Sequence, residues 1–128
     1  MLKLNSDPRS ISEVEIFVNN LVKRYRLNAD QQGNILVSLT EAVNNAIIHG
    51  NKRDRSKQVS IRMLEHKGNL AIQVSDEGRG FDFRALPDPT CPENRCKCGG
   101  RGVFLMQCLS DNIAFRNGGR TVEMQFKL

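Results

Sequence analysis

The amino-acid sequence predicts an α+β fold with two layers, a helical layer and a sheet. Amphipathic helical patterns fill the first part of the chain, and alternating strand patterns follow them in a block. The chain of 128 residues is long enough for one hydrophobic core and too short for two. Its composition, with 39% hydrophobic and 26% charged residues, is that of an ordinary globular protein. We therefore expect a single domain covering residues 1–128.

Two amphipathic helices are predicted in the N-terminal half. The first begins at Ser12, where Glu15 three residues later would complete a capping box, and it ends near Leu27–Asn28. The second is longer, with Asp30 as its predicted N-cap and Gly50 as its stop. Each helix carries one apolar face that can cover a sheet.

An antiparallel hairpin is predicted next. Val59–Met63 and Leu70–Val74 alternate apolar and polar residues, and Lys67–Asn69 between them has the composition of a turn. Residues 81–100 contain three prolines and no sustained periodicity, which predicts a long loop; loops of this length in small domains are usually functional. Beyond it the patterns predict a helix over Gly102–Leu109 and two strands, Ile113–Phe115 and Thr121–Phe126, around the turn Asn117–Gly119.

Composition argues against several classes of protein. Aromatic residues make up only 5% of the chain and Trp is absent, which disfavours a base-stacking nucleic-acid module. The longest apolar run, Val103–Met106, is far shorter than the roughly 20 residues that cross a bilayer. The first residues lack the basic region and apolar run of a secretion signal, so we expect a cytoplasmic protein. The net charge of +5 fits either an anionic partner or a solvated basic face.

The second helix combines an apolar face with a polar one. Glu41 and Asn45 are four residues apart and therefore adjacent on the helix surface. A carboxylate beside a carboxamide can hold Mg²⁺ and leave a base next to a bound substrate. A solvated helix face is the alternative interpretation. The predicted polar face consists of Ser38, Glu41, Asn44, Asn45 and His49.

Two glycine motifs follow the strands and the loop. Asp76 lies at the end of the second hairpin strand, and Gly78 and Gly80 after it would let a flat ring approach the backbone while the carboxylate accepts from an amine. Gly100–Gly102 opens a helix, where free N–H groups and the helix dipole suit a polyphosphate. Taken singly, each motif is better explained by structure alone, the first as a tight turn with an exposed Asp and the second as a flexible hinge before a helix.

The order of the three motifs resembles the GHKL ATPase superfamily, the histidine kinase-like ATPases. Glu41–Asn45 matches its N box, Asp76–Gly80 its first glycine box and Gly100–Leu105 its second. The segments Glu41–Asn51 and Gly100–Met106 are most similar to the anti-sigma factor serine/threonine kinases of that superfamily. The resemblance runs from about Ser12 to the C-terminus, so it covers nearly the whole chain.

This resemblance implies a Bergerat fold with a mixed, mostly antiparallel sheet that binds ATP and Mg²⁺. Glu41 matches the position of the general base that takes the proton from a serine hydroxyl. Residues 82–99 correspond to the ATP lid. The other implied roles are Asn45 as the Mg²⁺ ligand, Asp76 as the acceptor for the adenine amino group, Gly78 and Gly80 in the adenine pocket, and Gly100, Arg101, Gly102 and Val103 at the phosphates.

The resemblance also implies partners. Members of this family phosphorylate a STAS-domain anti-anti-sigma protein and sequester a sigma factor or another regulator, and they are commonly homodimers. The alternative is a nucleotide-gated module that binds a partner without kinase activity, with ATP ordering the lid.

Two further features have open interpretations. Cys91, Cys96 and Cys98 of the lid are not part of the family motif; they are ordinary lid residues, metal ligands or redox-sensitive thiols, and a zinc site would need Cys108 as its fourth ligand. A weaker nucleic-acid hypothesis rests on the net charge and on a basic segment, Lys52, Arg53, Arg55 and Lys57.

Overall fold

A computed structural model of the protein describes residues 2–78 and 100–128. The described residues form three α-helices and a five-stranded sheet. In chain order the elements are β1 (Leu2–Asn5), α1 (Ile11–Tyr25), α2 (Ala29–Asn45), β2 (Gln58–His66), β3 (Asn69–Ser75), α3 (Gly100–Leu109), β4 (Asn112–Arg116) and β5 (Thr121–Lys127).

The strands lie in the order β1-β2-β3-β5-β4, and each neighbouring pair is antiparallel. This confirms the predicted mostly antiparallel sheet, although the described strands contain no parallel pair. Val74 of β3 lies opposite Ile61 on one side and Val122 on the other, so one row of apolar side chains crosses the sheet. Their neighbours Gln73 and Ser75 point to the other face, because strand side chains alternate.

The hydrophobic core lies between this sheet face and the helices, which confirms the two-layer fold. α1 contributes Val14 and Val18, α2 contributes Leu39 and Val43, and all four are at most 1% exposed. Branched aliphatic side chains therefore supply most of the core, in a chain with few aromatic residues. The strands add Val59, Ile61, Leu70, Ile72, Val74, Val122, Met124 and Phe126, and α3 adds Val103 and Met106.

The first helix begins earlier than predicted and has a different cap. A 3-10 turn, Pro8–Ser10, continues directly into α1, and the Ser10 side chain makes no capping hydrogen bond. Ser12 donates its hydroxyl to the Arg9 carbonyl at 3.2 Å, so the predicted capping box of Ser12 and Glu15 is wrong. The helix ends at Tyr25 because the next residue adopts a left-handed conformation with φ of 53°.

A capping box is present at the start of α2 instead. The Asn28 side chain accepts from the Gln31 backbone N–H at 2.7 Å, and the Gln31 side chain accepts from the Asn28 N–H at 2.9 Å. The N-cap is therefore Asn28 and not Asp30. This box satisfies two of the N–H groups that every helix start leaves without an intrahelical partner.

The predicted hairpin and the later strands are confirmed, and each strand is longer than predicted. Lys67 and Gly68 both have positive φ, 50° and 77°, as a tight two-residue hairpin turn requires. α3 begins at Gly100, two residues before the predicted start. The short strand β1 was not predicted; it pairs with β2, where Leu4 lies opposite Val59 and is buried.

No helix in the described part of the chain is long and apolar enough to cross a membrane. The predicted lid, residues 82–99, lies outside the described residues, as do Cys91, Cys96 and Cys98.

Candidate functional site

The C-terminal half of α2 carries the first pair of candidate residues. Glu41 and Asn45 are both half-buried, one helical turn apart, and neither side chain makes a hydrogen bond to any described residue. Their polar groups are thus free to meet a ligand. The predicted polar face is wrong at Ser38, which is fully buried, and correct at His49, which is exposed.

The helix does not continue in α form to its end. Ala46–Gly50 is a π-helical turn, closed by the Asn51 backbone N–H donating to the Ala46 carbonyl at 2.8 Å. Such turns are rare in proteins, and those that occur are often found at functional sites. Lys52 and Arg53 then have positive φ values of 51° and 60°, which turn the chain away sharply. As a result Gly50 lies against Asp76, directly after the end of β3.

Asp76 follows β3 directly and is held from two sides. Its backbone N–H donates to the Arg120 carbonyl at 2.9 Å, and its Oδ1 accepts from the Gly78 backbone N–H at 2.8 Å. Within the described residues its Oδ2 has no hydrogen-bond partner. Partial burial raises the pKa of Asp76 above the usual value, against the opposing effects of the Gly78 hydrogen bond and of Arg120 and Lys57. A half-buried carboxylate with one open oxygen suits an amine donor.

Gly50 and Gly78 lie at positions where no side chain fits. A Cβ on Gly50 would lie 2.3 Å from Asp76 Oδ2, and a Cβ on Gly78 would lie 1.9 Å from the Gly50 carbonyl oxygen. Both distances are far below van der Waals contact. The sequence predicted a reason for glycine at Gly78, but at Gly50 it predicted only the end of a helix.

Asn51 is the last residue of the segment that resembles the family, but no motif assigned it a role. Its side chain is 1% exposed and makes three hydrogen bonds, one of them to the backbone N–H of Glu77 at 2.8 Å. Glu77 in turn accepts from the Gln58 backbone N–H through its own carboxylate. A lone Asn after a helix-terminating Gly reads as an ordinary loop residue, so the sequence carried no signal for this role.

Thr121 is a second residue without a sequence signal. It lies opposite Ser75 at the edge of the candidate site and is 5% exposed. Its Oγ1 lies 2.9 Å from Ser75 Oγ and accepts from Asn117 Nδ2 at 3.0 Å. These bonds fix the last residue of β3 immediately before Asp76.

The second glycine motif is only partly described. Gly100–Gly102 forms the first turn of α3, and α3 packs alongside α2. The side chain of Arg101 and the whole of Gly80 lie outside the described part of the chain. The side chain of Val103 is buried in the core at 6% exposure, so only its backbone N–H could reach a phosphate. The start of α3 therefore offers backbone N–H groups beside the helix that carries Glu41 and Asn45.

The described residues contain no cluster of three or more His, Cys, Asp or Glu side chains that could hold a metal ion. Asn45 could supply one oxygen ligand to Mg²⁺, which in nucleotide sites takes most of its ligands from phosphates and water. The side chains present therefore fit a metal that arrives with a nucleotide better than one bound by protein alone. Cys108 is an exposed free thiol on α3.

The chain belongs to the histidine kinase-like ATPase domain family, whose model matches residues 4–126. It is 28% identical to the serine-protein kinase RsbW of Bacillus subtilis over 96% of this chain and 81% of that protein. The RsbW of Listeria monocytogenes serovar 1/2a is 22% identical over 88% of this chain and 75% of that protein. The family resemblance inferred from the three motifs is confirmed.

A solved structure agrees with this fold. The histidine kinase domain of the Erythrobacter litoralis EL346 blue-light activated histidine kinase superposes with a TM-score of 0.58 at 21% identity. The match covers 98% of this chain and 62% of that one, so this chain spans somewhat less than two thirds of the neighbour.

Proposed function

We propose that this protein binds Mg-ATP and transfers its terminal phosphoryl group to a serine of a partner protein. The observation that carries the proposal is the half-buried carboxylate of Asp76, whose Oδ1 is fixed by the Gly78 N–H while its Oδ2 remains open beside Gly50. An acceptor held in this way suits the exocyclic amino group of adenine. Gly78 and Gly80 would leave room for the base.

The phosphates would lie toward the start of α3. There the backbone N–H groups of Gly100–Val103 and the Arg101 guanidinium would neutralise negative charge. Asn45 on α2 would bind the Mg²⁺ ion that accompanies the nucleotide. When bound, this ion would neutralise the charge that develops on the phosphate oxygens during transfer.

Glu41 would act as general base one turn before Asn45. The serine hydroxyl oxygen forms the new bond to the γ-phosphorus as the bond to the ADP oxygen breaks. The hydroxyl proton passes to the Glu41 carboxylate, and ADP leaves with the electron pair. The free, half-buried position of this carboxylate supports the assignment.

The acceptor that we propose is a STAS-domain anti-anti-sigma protein, and the second partner is a sigma factor or another regulator that the kinase sequesters. The names of the relatives support the serine-kinase activity. A homodimer and a cytoplasmic location stay predictions, as does the extent of the lid.

Incubation with labelled ATP, Mg²⁺ and candidate STAS-domain proteins tests this function. We expect label on a serine of the acceptor and a decrease of at least about a hundredfold in Glu41→Gln, because general-base catalysis is worth roughly that factor or more. Glu15→Gln, which changes an exposed carboxylate on α1, is the matched control and should transfer at the wild-type rate. Transfer at the wild-type rate in Glu41→Gln would contradict the base assignment. ATP binding without any transfer would favour the nucleotide-gated binding module.

A further inference from the structure

Asn51 joins three separate segments of the chain at one buried point. Its Nδ2 donates to Ser6 Oγ at 2.8 Å and to the Gln58 carbonyl at 3.1 Å, and its Oδ1 accepts from the Glu77 N–H at 2.8 Å. The Asn51 residue is 1% exposed, and its bond to Ser6 is fully buried, whereas the bonds to Gln58 and Glu77 are partly buried. Ser6 is also 1% exposed and donates its own hydroxyl to the Lys57 carbonyl at 2.8 Å.

We propose that Asn51 is a positioning residue that sets the preference of the site for adenine over guanine, an inference that rests on the proposed nucleotide site. It acts through the backbone of Glu77, which lies between Asp76 and Gly78. Asn51 does not touch the nucleotide in this proposal. Asp76 remains the residue that contacts the base.

The bonds of Asn51 determine which way its amide points. Both hydrogens of Nδ2 are directed at oxygen acceptors, so Oδ1 must face the Glu77 N–H. A reversed amide would bring Oδ1 against the Gln58 carbonyl and leave the partly buried N–H of Glu77 facing another donor. The orientation of this acceptor is thus fixed before any ligand binds.

The turn after β3 is consequently held on both sides of the Asp76 side chain. Asp76 is anchored by the Arg120 carbonyl at 2.9 Å, and Glu77 is anchored by Asn51. Gly78 then closes the turn with its N–H on Asp76 Oδ1. Without the Asn51 bond the Glu77 N–H would lose its acceptor, and the turn would keep only the Asp76 bond to the Arg120 carbonyl and the Glu77 carboxylate on the Gln58 N–H. The position of Oδ2 would then be less well defined.

A fixed Oδ2 discriminates between purines because of their different edges. Adenine presents an amino group where guanine presents a carbonyl oxygen. A rigid carboxylate accepts a hydrogen bond from the adenine amino group and repels the guanine carbonyl oxygen. A mobile carboxylate can move away from that oxygen. A site built to hydrogen-bond a particular N–H of its ligand rejects an analogue that lacks this N–H, because the acceptor in the site is then left unpaired.

The test compares wild type, Asn51→Ala and Ser6→Ala by measuring affinities for Mg-ATP and Mg-GTP separately. Ser6→Ala removes one acceptor of Asn51 but leaves the bond to Glu77, so it is the matched control. We expect Asn51→Ala to weaken ATP binding about tenfold, as the loss of one buried hydrogen-bond anchor suggests. GTP affinity should stay within about twofold of wild type. Ser6→Ala should keep the wild-type ratio of the two affinities.

A purely structural role for Asn51 would lower the folded fraction and affect both nucleotides alike. Equal affinity ratios in wild type and folded Asn51→Ala would overturn the proposal. If wild type itself binds no ATP, the proposed function fails instead, so the two failures can be distinguished.

A measurement on wild type keeps the proposal testable if Asn51→Ala does not fold. Amide hydrogen exchange should show the Glu77 N–H strongly protected in the nucleotide-free protein, because its acceptor is in place before binding. Exchange of that amide at the rate of an exposed one would overturn the proposal.

Discussion

At the scale of single residues, the close approach of two backbones decides which substitutions the site tolerates. A Cβ on Gly78 would meet the Gly50 carbonyl oxygen at 1.9 Å, and backbone cannot move aside as a flexible side chain can. We expect Gly78→Ala to lower the free energy of unfolding by about 2 kcal/mol, the range of overpacking in well-packed regions. Urea unfolding monitored by circular dichroism measures this change.

Gly33→Ala is the control for this prediction. Gly33 lies in α2, a methyl group added to it would have nothing within 4 Å, and its φ is not positive. Alanine there should raise the free energy of unfolding by about 0.5–1 kcal/mol through its better helix propensity. Equal effects of the two substitutions would show that the glycine pair does not meet as described.

The pKa values of two aspartates should be shifted in opposite directions from the ordinary value. Burial raises the pKa of Asp76 above 3.8, whereas the guanidinium of Arg9 lowers the pKa of Asp7 to about 2. Carbon-detected NMR of the side-chain carboxyls measures both midpoints in one sample. A midpoint for Asp76 at or below that of an ordinary aspartate would contradict the described burial of this carboxylate.

The sequence indicated the residue types of the site but not every contact. Asp76, Gly78, Glu41 and Asn45 could be selected because their chemistry and spacing are local properties of one strand end and one helix. Asn51 could not, because its role depends on a buried meeting of β1, β2 and the turn after β3. The spacing along one helix equally could not show that Ser38 is buried.

At the scale of elements, the outer face of the sheet carries a polar network centred on Glu123. This carboxylate is 8% exposed and accepts from Gln73 Nε2 at 2.8 Å, from Gln125 Nε2 at 3.3 Å and from Arg116 at 3.3 Å. The bond from Gln73 is the largest of the effects that lower the pKa of Glu123. The network therefore joins β3, β4 and β5 on the side away from the helices.

This network predicts how stability changes with pH. Because the folded-state pKa is lowered, Glu123 adds stability above its ordinary value of 4.5 and loses it as the pH falls through the folded-state pKa. Glu123→Gln should cost about 1 kcal/mol at neutral pH, most of it from the weakened bond to Gln73, since Arg116 is largely exposed. The difference from wild type should vanish in strong acid. Denaturant unfolding at several pH values tests this, and a difference that persists at the lowest pH would count against it.

The elements themselves were predictable where their patterns were long. α1, α2 and the hairpin of β2 and β3 have sustained periods, whereas β1 has four residues and finds its place only by pairing with β2. The π-helical turn at the end of α2 also had no signal in the sequence; it ends at Gly50, which lies against Asp76.

At the scale of the whole molecule, one core holds all parts of the candidate site. α2 supplies Glu41 and Asn45, the end of β3 supplies Asp76, and α3 lies along α2 with its glycine-rich start. Each of these elements buries apolar side chains in the same cluster. A ligand that contacts both α2 and the end of β3 should therefore stabilise the fold as a unit.

The central claim is that this fold binds ATP through Asp76, and calorimetric titration with Mg-ATP of wild type and Asp76→Asn tests it most directly. Asparagine keeps an oxygen for the Gly78 N–H, and it should not lower the melting temperature, because partial burial disfavours the charged form of this carboxylate. We predict that wild type binds with a Kd below about 1 mM. The folded variant should bind at least about tenfold more weakly. Absence of binding by wild type, or equal affinity of the two proteins, would contradict the account.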